Sequence, residues 1–394
     1  MVMIIGIVMF VVVGLILYLS KAAVKKTTQQ SAGKLQNTAI SVQPIEEFVA
    51  KCLDKTAKDS IILLGSQAGR TYSSQGGTLV DFSNTDEGLF FVKYNNLNVA
   101  YNIKNPSLYL PLPYTSSVPD YPWLTFPYRS QNSNAKNFLG IFGISNMPPL
   151  IPSQGQHSIQ TQLETYIDKN LANCLDFKIF EQQGYQIAQF RSRTHVTIGE
   201  DDVIVNSEIP LTIINAATRE TTKLKEFSTT LNLRLEEIYN FVEDLVENDI
   251  QDIIFNLTDV KNNKNSFNIK LLKHFYKNDD VVIVEDKQSV VSGRPLEHIF
   301  ARKNRRPALY CIKNTDSLCK PGQTVLEFER GHDITQNDLL NGQQLKAEDP
   351  DEDVLTFNIN PSLPKTLDTS QITFKVEVTD GELSDYQYIT VKEK

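Results

Sequence analysis

Hydrophobic and polar positions change rhythm several times along this chain, and each change predicts an element. Met1 to Leu19 carry no charged or amide side chain on any helical face. Nineteen such residues make a helix of roughly 29 Å, close to the hydrocarbon thickness of a bilayer. A polar, helix-compatible segment continues to about Leu35. Between Pro44 and Gly65, Ile45, Phe48, Val49, Cys52, Leu53 and Ala57 recur at helical spacing and predict an amphipathic helix with one core-facing stripe. A second is predicted over about Ser158 to Leu175, with Ile159, Leu163, Tyr166, Ile167, Leu171, Cys174 and Leu175 on one face. Between the two, the stretch 105–152 holds nine of the seventeen prolines, which excludes regular helix there. It also carries Tyr109, Tyr114, Tyr121, Trp123, Phe126 and Tyr128, placed either to bind glycans or a neighbouring subunit, or to fold back as the lid of a core.

Further on, Thr194 to Ile198, Val203 to Pro210 and Phe227 to Leu235 read as strands of a β-meander, with a turn at Gly199-Glu200-Asp201-Asp202. From Leu235 to Val246 the period returns to that of a helix, with Ile238, Phe241, Val242, Leu245 and Val246 beside an acidic face, and this helix is expected to pack on the meander. Two alternating strands, Ile372 to Val378 and Tyr386 to Val391, close the chain. The pattern defines an α+β chain: a hydrophobic helix and stalk over 1–40, a central helix-plus-meander domain over 41–303, and a β-sandwich over 304–394.

Composition narrows the function. The 394 residues, 41% hydrophobic and 22% charged, suffice for real cores and exclude full-length disorder. A net charge of −8 removes the electrostatic basis for nucleic-acid binding. Five scattered histidines and four cysteines form no HExxH, CxxC, P-loop or GxSxG pattern, so the reading is not an enzyme. Lys21, Lys25, Lys26 and Lys34 follow the apolar run and none precedes it, which by the positive-inside rule places the bulk in the cytoplasm. The cysteines without metal spacing, the β-rich pattern and the Asn256-Leu257-Thr258 sequon favour the outside, with Asn256 as a glycosylation candidate.

Both facts fit a chain numbered from a processed N-terminus. In this the apolar Met1 to Leu19 run and its polar continuation resemble type IV pilins and their archaeal relatives, whose mature chains begin with a long hydrophobic helix. Ile5 stands where bacterial pilins often carry glutamate. Gly6 and Gly14 lie nearly on one helical face and allow close helix packing, with Val11 midway along the run. In the last module, Ala347 to Phe357 and Val376 to Asp385 are similar to the DPDxDxLTF segment and VTDG hairpin of cadherin-like and immunoglobulin-like repeats of microbial surface proteins. That resemblance covers roughly 70 residues and implies a sandwich with adhesive or spacer roles. More loosely, residues 41–300 resemble archaeal surface proteins with NxxxCLDF-like and QGY-like segments, here Asn170 to Phe177 and Gln183 to Tyr185.

Two disulfides are expected, Cys52 with Cys174 and Cys311 with Cys319, the alternative being reduced core cysteines. Asp349, Asp351, Asp353 and Asp380 either assemble an oxygen-rich Ca²⁺ shell or form a metal-free turn. The leading functional expectation is a cell-surface, pilin-like filament subunit that self-associates through its N-terminal helix after residence in the membrane and displays β-domains for adhesion to glycans or other cells. The alternative is a monomeric, single-pass membrane-anchored adhesin or receptor.

Overall fold

The computed structural model describes residues 42–81, 91–105, 142–155, 157–253, 255–259, 262, 267–314, 317–318, 325–340 and 345–394. The first described element, α1 (Gln43–Gly65), opens with Ile45 and Glu46 donating to Val42 O, and Glu46 in the first turn suits the positive end of the helix dipole. Its apolar stripe, Ile45, Val49, Cys52, Leu53, Ala57, Ile61 and Leu64, is buried. The helix stops where Ala68 and Gly69 take left-handed φ values of 58° and 76°.

There follow β1 (Phe91–Tyr94), β2 (Leu97–Lys104), β3 (Ile144–Ser145), α2 (Ile159–Cys174), α3 (Lys178–Glu181), β4 (Tyr185–Gln189), β5 (Arg193–Ile198), β6 (Val203–Asn215), β7 (Thr221–Leu231) and α4 (Leu235–Gln251). Then come β8 (Phe267–Tyr276), β9 (Asp279–Val291), β10 (Arg294–Arg302), β11 (Ala308–Asn314), β12 (Ser317–Leu318), β13 (Val325–Phe328) and β14 (Asp333–Ile334). The chain ends with α5 (Gln336–Leu340), β15 (Leu345–Glu348), β16 (Thr356–Asn360), β17 (Lys365–Thr366), β18 (Gln371–Thr379) and β19 (Ser384–Glu393).

Two units emerge. The first comprises residues up to Asp54, Leu171–Arg193 and Asn206–Thr229. Here Phe48 of α1 meets the edges of Phe177 and Phe180 at 5.8 and 5.4 Å. Gly184, at φ 88°, turns the chain from α3 into β4, which pairs antiparallel with β6 from Tyr185↔Asn215 to Gln189↔Leu211.

The second unit holds the remaining described residues. Its six-stranded sheet runs β1-β2-β10-β9-β8, with β3 beside β2, and only the β2–β10 pairing is parallel. α4 packs against β2, β3, β9 and β10, with Phe241 stacked on Phe267 of β8 at 4.6 Å. An amphipathic stripe shows that a face is covered, not what covers it, and within the second unit this sheet supplies cover for α4. Beyond β10, a four-stranded sheet ordered β13-β19-β18-β16 shares a core with β11, β14 and α5 through Leu309, Ile334, Leu339, Phe374, Val376, Val378, Ile389 and Val391.

The fold class expected above is overturned. Strand dominates at 42% against 26% helix, so the protein is mostly β rather than α+β built on a long hydrophobic helix. Among the described residues no helix is long and apolar enough to cross a membrane. The expected N-terminal helix and stalk, 1–40, lie outside the described residues. β-strands were undercounted because β9 is buried on both faces at Val281 to Val284 and shows no alternation to read.

Candidate functional site

The densest chemistry of the second unit gathers where β10 ends. Tyr101, Phe300 and Ala301 are buried around that strand end, and the parallel pairing with β2 fixes its position. Arg302 and Arg305 leave it with side chains 2% and 0% exposed. Arg302 donates to Asp280 Oδ2 from Nη2 at 2.6 Å and to Asp249 Oδ1 from Nη1 at 3.1 Å, and its Nε lies 3.2 Å from Asp351 Oδ1. Arg305 donates to Asp351 Oδ1 from Nη2 at 2.8 Å and from Nε at 3.1 Å, while its backbone N–H reaches Asp351 Oδ2 at 2.6 Å. Its remaining donors go to the carbonyl oxygens of Phe142, Asp249 and Pro350. Asp249 Oδ2 lies 2.8 Å from Arg305 Nη2 but out of hydrogen-bond alignment.

Two guanidinium groups thus face three carboxylates in a sealed site. Burial opposes charge on both arginines, yet the carboxylates outweigh it and hold both guanidinium pKa values above their ordinary range. Burial raises Asp249, with the two arginines opposing it. Nearby, Asp279 accepts from Tyr101 Oη at 2.5 Å, Lys303 Nζ at 2.9 Å and Asn304 N–H at 2.8 Å. The arrangement clamps the end of β10 to the loop after β15.

That loop carries the aspartates considered for calcium. Asp349 Oδ1 accepts the N–H groups of Asp351 and Asp353 at 2.8 and 3.1 Å, and its Oδ2 is buried with no hydrogen-bond partner among the described residues. Burial, reinforced by the charge of Asp351, pushes Asp349 up to about 7. Asp353 is pushed up to about 6 by burial, against the pull of His274, whose Nε2 lies 3.2 Å from its Oδ1. Asp380 Oδ1 accepts from the N–H groups of Glu382 and Leu383, and its Oδ2 from Asn304 Nδ2 at 3.0 Å. The four carboxylates therefore turn to different donors. Among the described residues no group of three or more His, Cys, Asp or Glu side chains is placed to hold a metal ion.

In the first unit Cys52 and Cys174 form a disulfide with Cα atoms 5.6 Å apart. Cys311 lies in β11, while Cys319 falls outside the described residues, as do Gly6, Val11 and Gly14 and the aromatic part of the proline-rich stretch, 106–141. Asn256 turns its Oδ1 onto the N–H and Oγ1 of Thr258, both at 2.8 Å. Arg302, Arg305, Asp249 and Asp280 were not singled out by sequence. The signal was present in Arg302 to Arg306, a basic run after the apolar Ile299-Phe300-Ala301, but it reads equally as a module boundary. No protein-family model matches the chain, and no characterised protein sequence matches it.

Proposed function

We propose that this chain is a structural subunit of an extracellular, pilin-like filament, without catalytic activity. The apolar segment Met1 to Leu19 mediates self-association after residence in the membrane, and the β-rich body is displayed outward for adhesion to surface glycans or other cells. The observation that supports this reading is the Cys52–Cys174 cross-link. Structural disulfides persist in oxidising compartments and are rare in the cytosol. A wholly apolar segment outside a membrane has to bury its surface, and a repeating assembly of identical subunits supplies that cover.

Replacing Val11 by Lys tests the proposal. A charge at the centre of a membrane segment costs about 2.5–3.5 kcal/mol on insertion scales, and in a filament the cost recurs in every subunit. Wild-type cells should shed fibres on shearing, and Val11→Lys cells should shed none while their membranes still hold the chain. Undiminished fibres from Val11→Lys cells, or a wild-type chain recovered only as membrane-held monomers, would overturn it. The second result would match an anchored adhesin.

A further inference from the structure

Asn-x-Ser/Thr spacing occurs three times in the chain, at Asn105, Asn256 and Asn360. At the first and last the middle residue is proline, Pro106 and Pro361, which the acceptor pattern for N-linked glycans excludes. Only Asn256-Leu257-Thr258 satisfies the pattern.

This triplet lies just beyond α4, where the chain turns twice. Phe255 N–H donates to Asp252 O at 3.0 Å, and Asp259 N–H donates to Asn256 O at 3.1 Å. Leu257 anchors the turn, being buried, while Asn256 is half-buried and Thr258 is exposed. Asn262 Nδ2 adds a brace to Asn256 O at 2.7 Å. Thr258 donates to Asn256 Oδ1 from both its N–H and its Oγ1, each at 2.8 Å. An amide nitrogen is a poor nucleophile because its lone pair is shared with the carbonyl. Two donors on Oδ1 stabilise the negative charge that gathers there as Nδ2 gives up a proton. The hydroxyl two residues on supplies one of them, which gives the third position of the pattern its chemical purpose.

We infer that Asn256 is an N-glycosylation site whose donor is an oligosaccharide linked to a polyprenyl phosphate. Nδ2 attacks the anomeric carbon of the first sugar, and an N–C bond forms as the C–O bond to the phosphate breaks. The lipid phosphate leaves with that electron pair, and the Nδ2 proton passes to a base of the transferring enzyme. The modification depends on export from the cytoplasm, the location proposed above.

Mass spectrometry of the chain recovered from its own cells, digested with trypsin without reductant, tests the inference. Peptide 235–261 contains Asn256 and should carry the added mass of a glycan, with fragment ions placing it on that residue. Asn256→Gln and Thr258→Ala should each return the peptide to its bare mass, and Thr258→Ser, which keeps the hydroxyl, should retain the glycan. A bare wild-type peptide, or a glycan that persists in Thr258→Ala, would overturn the inference. The same digest separates this failure from failure of the location. A bare peptide beside an intact Cys52–Cys174 cross-link overturns the glycan alone, and a bare peptide with both cysteines reduced overturns the location as well. Should Thr258→Ala fail to accumulate, the wild-type peptide decides alone.

Discussion

Asp351 is the carboxylate that both buried arginines share, and it also receives the backbone N–H of Arg305. Removing one member of such a cluster strands charge away from water, so Asp351→Asn should cost about 3–5 kcal/mol in denaturant unfolding. The exposed Lys55–Asp59 pair is the control, and Lys55→Ala should leave the denaturation midpoint where it is. A loss as small in Asp351→Asn would show that the buried cluster does not hold the end of β10.

The same neighbourhood sets a pH dependence. Asp349, at about 7 in the fold against 3.8 as an ordinary side chain, takes up a proton on folding, so its contribution is full below about 4 and is lost as pH rises through 7. Asp353, raised to about 6, acts in the same direction. His298, lowered to about 4, acts oppositely, its contribution being present above 6.5 and lost as pH falls through 4. Stability should therefore rise as pH falls from 8 to 6.5, the charging of His298 in the unfolded chain offsetting only part of the gain. Asp349→Asn should flatten that rise, as urea unfolding at the two pH values would reveal.

At the scale of elements, the Cys52–Cys174 bond joins α1 to the end of α2 across 122 residues of sequence. In the chain-entropy account a loop of that length is worth about 4–5 kcal/mol, so Cys174→Ser should lower stability by an amount of that order. Peptide mapping without reductant should recover the Cys52–Cys174 pair, and a peptide joining Cys52 to Cys311 or Cys319 would contradict the pairing. For α4, Val242 is fully buried against the sheet, and Val242→Asp should unfold this unit, visible as loss of cooperative melting.

Both helix predictions and the disulfide were legible because a 3.6-residue stripe fixes which side chains share a face. Cys52 and Cys174 each sit on such a stripe, Cys52 buried and Cys174 half-buried at the end of its helix. That α4 packs on the sheet of β2, β3, β9 and β10 was not legible, since periodicity reports only that a face is covered. Strand β9 escaped because Val281 to Val284 show no alternation. Arg302 and Arg305 escaped because charge is normally a mark of surface, and only the three-dimensional placement of Asp249, Asp280 and Asp351 makes their burial tolerable.

At the scale of the whole molecule, the chain combines a Cys52–Cys174 cross-link with an apolar segment, Met1 to Leu19, and the proposed filament assigns self-association to that segment. A net charge of −8 opposes association of copies, so in the proposed filament the attraction is assigned to the apolar segment. Immunogold electron microscopy of sheared cell-surface material, with antibodies raised against residues 267–394, tests this most directly. Regular labelling along filaments is expected, each label marking a displayed body. Label confined to membrane fragments, with no decorated filament in the sheared fraction, would contradict it.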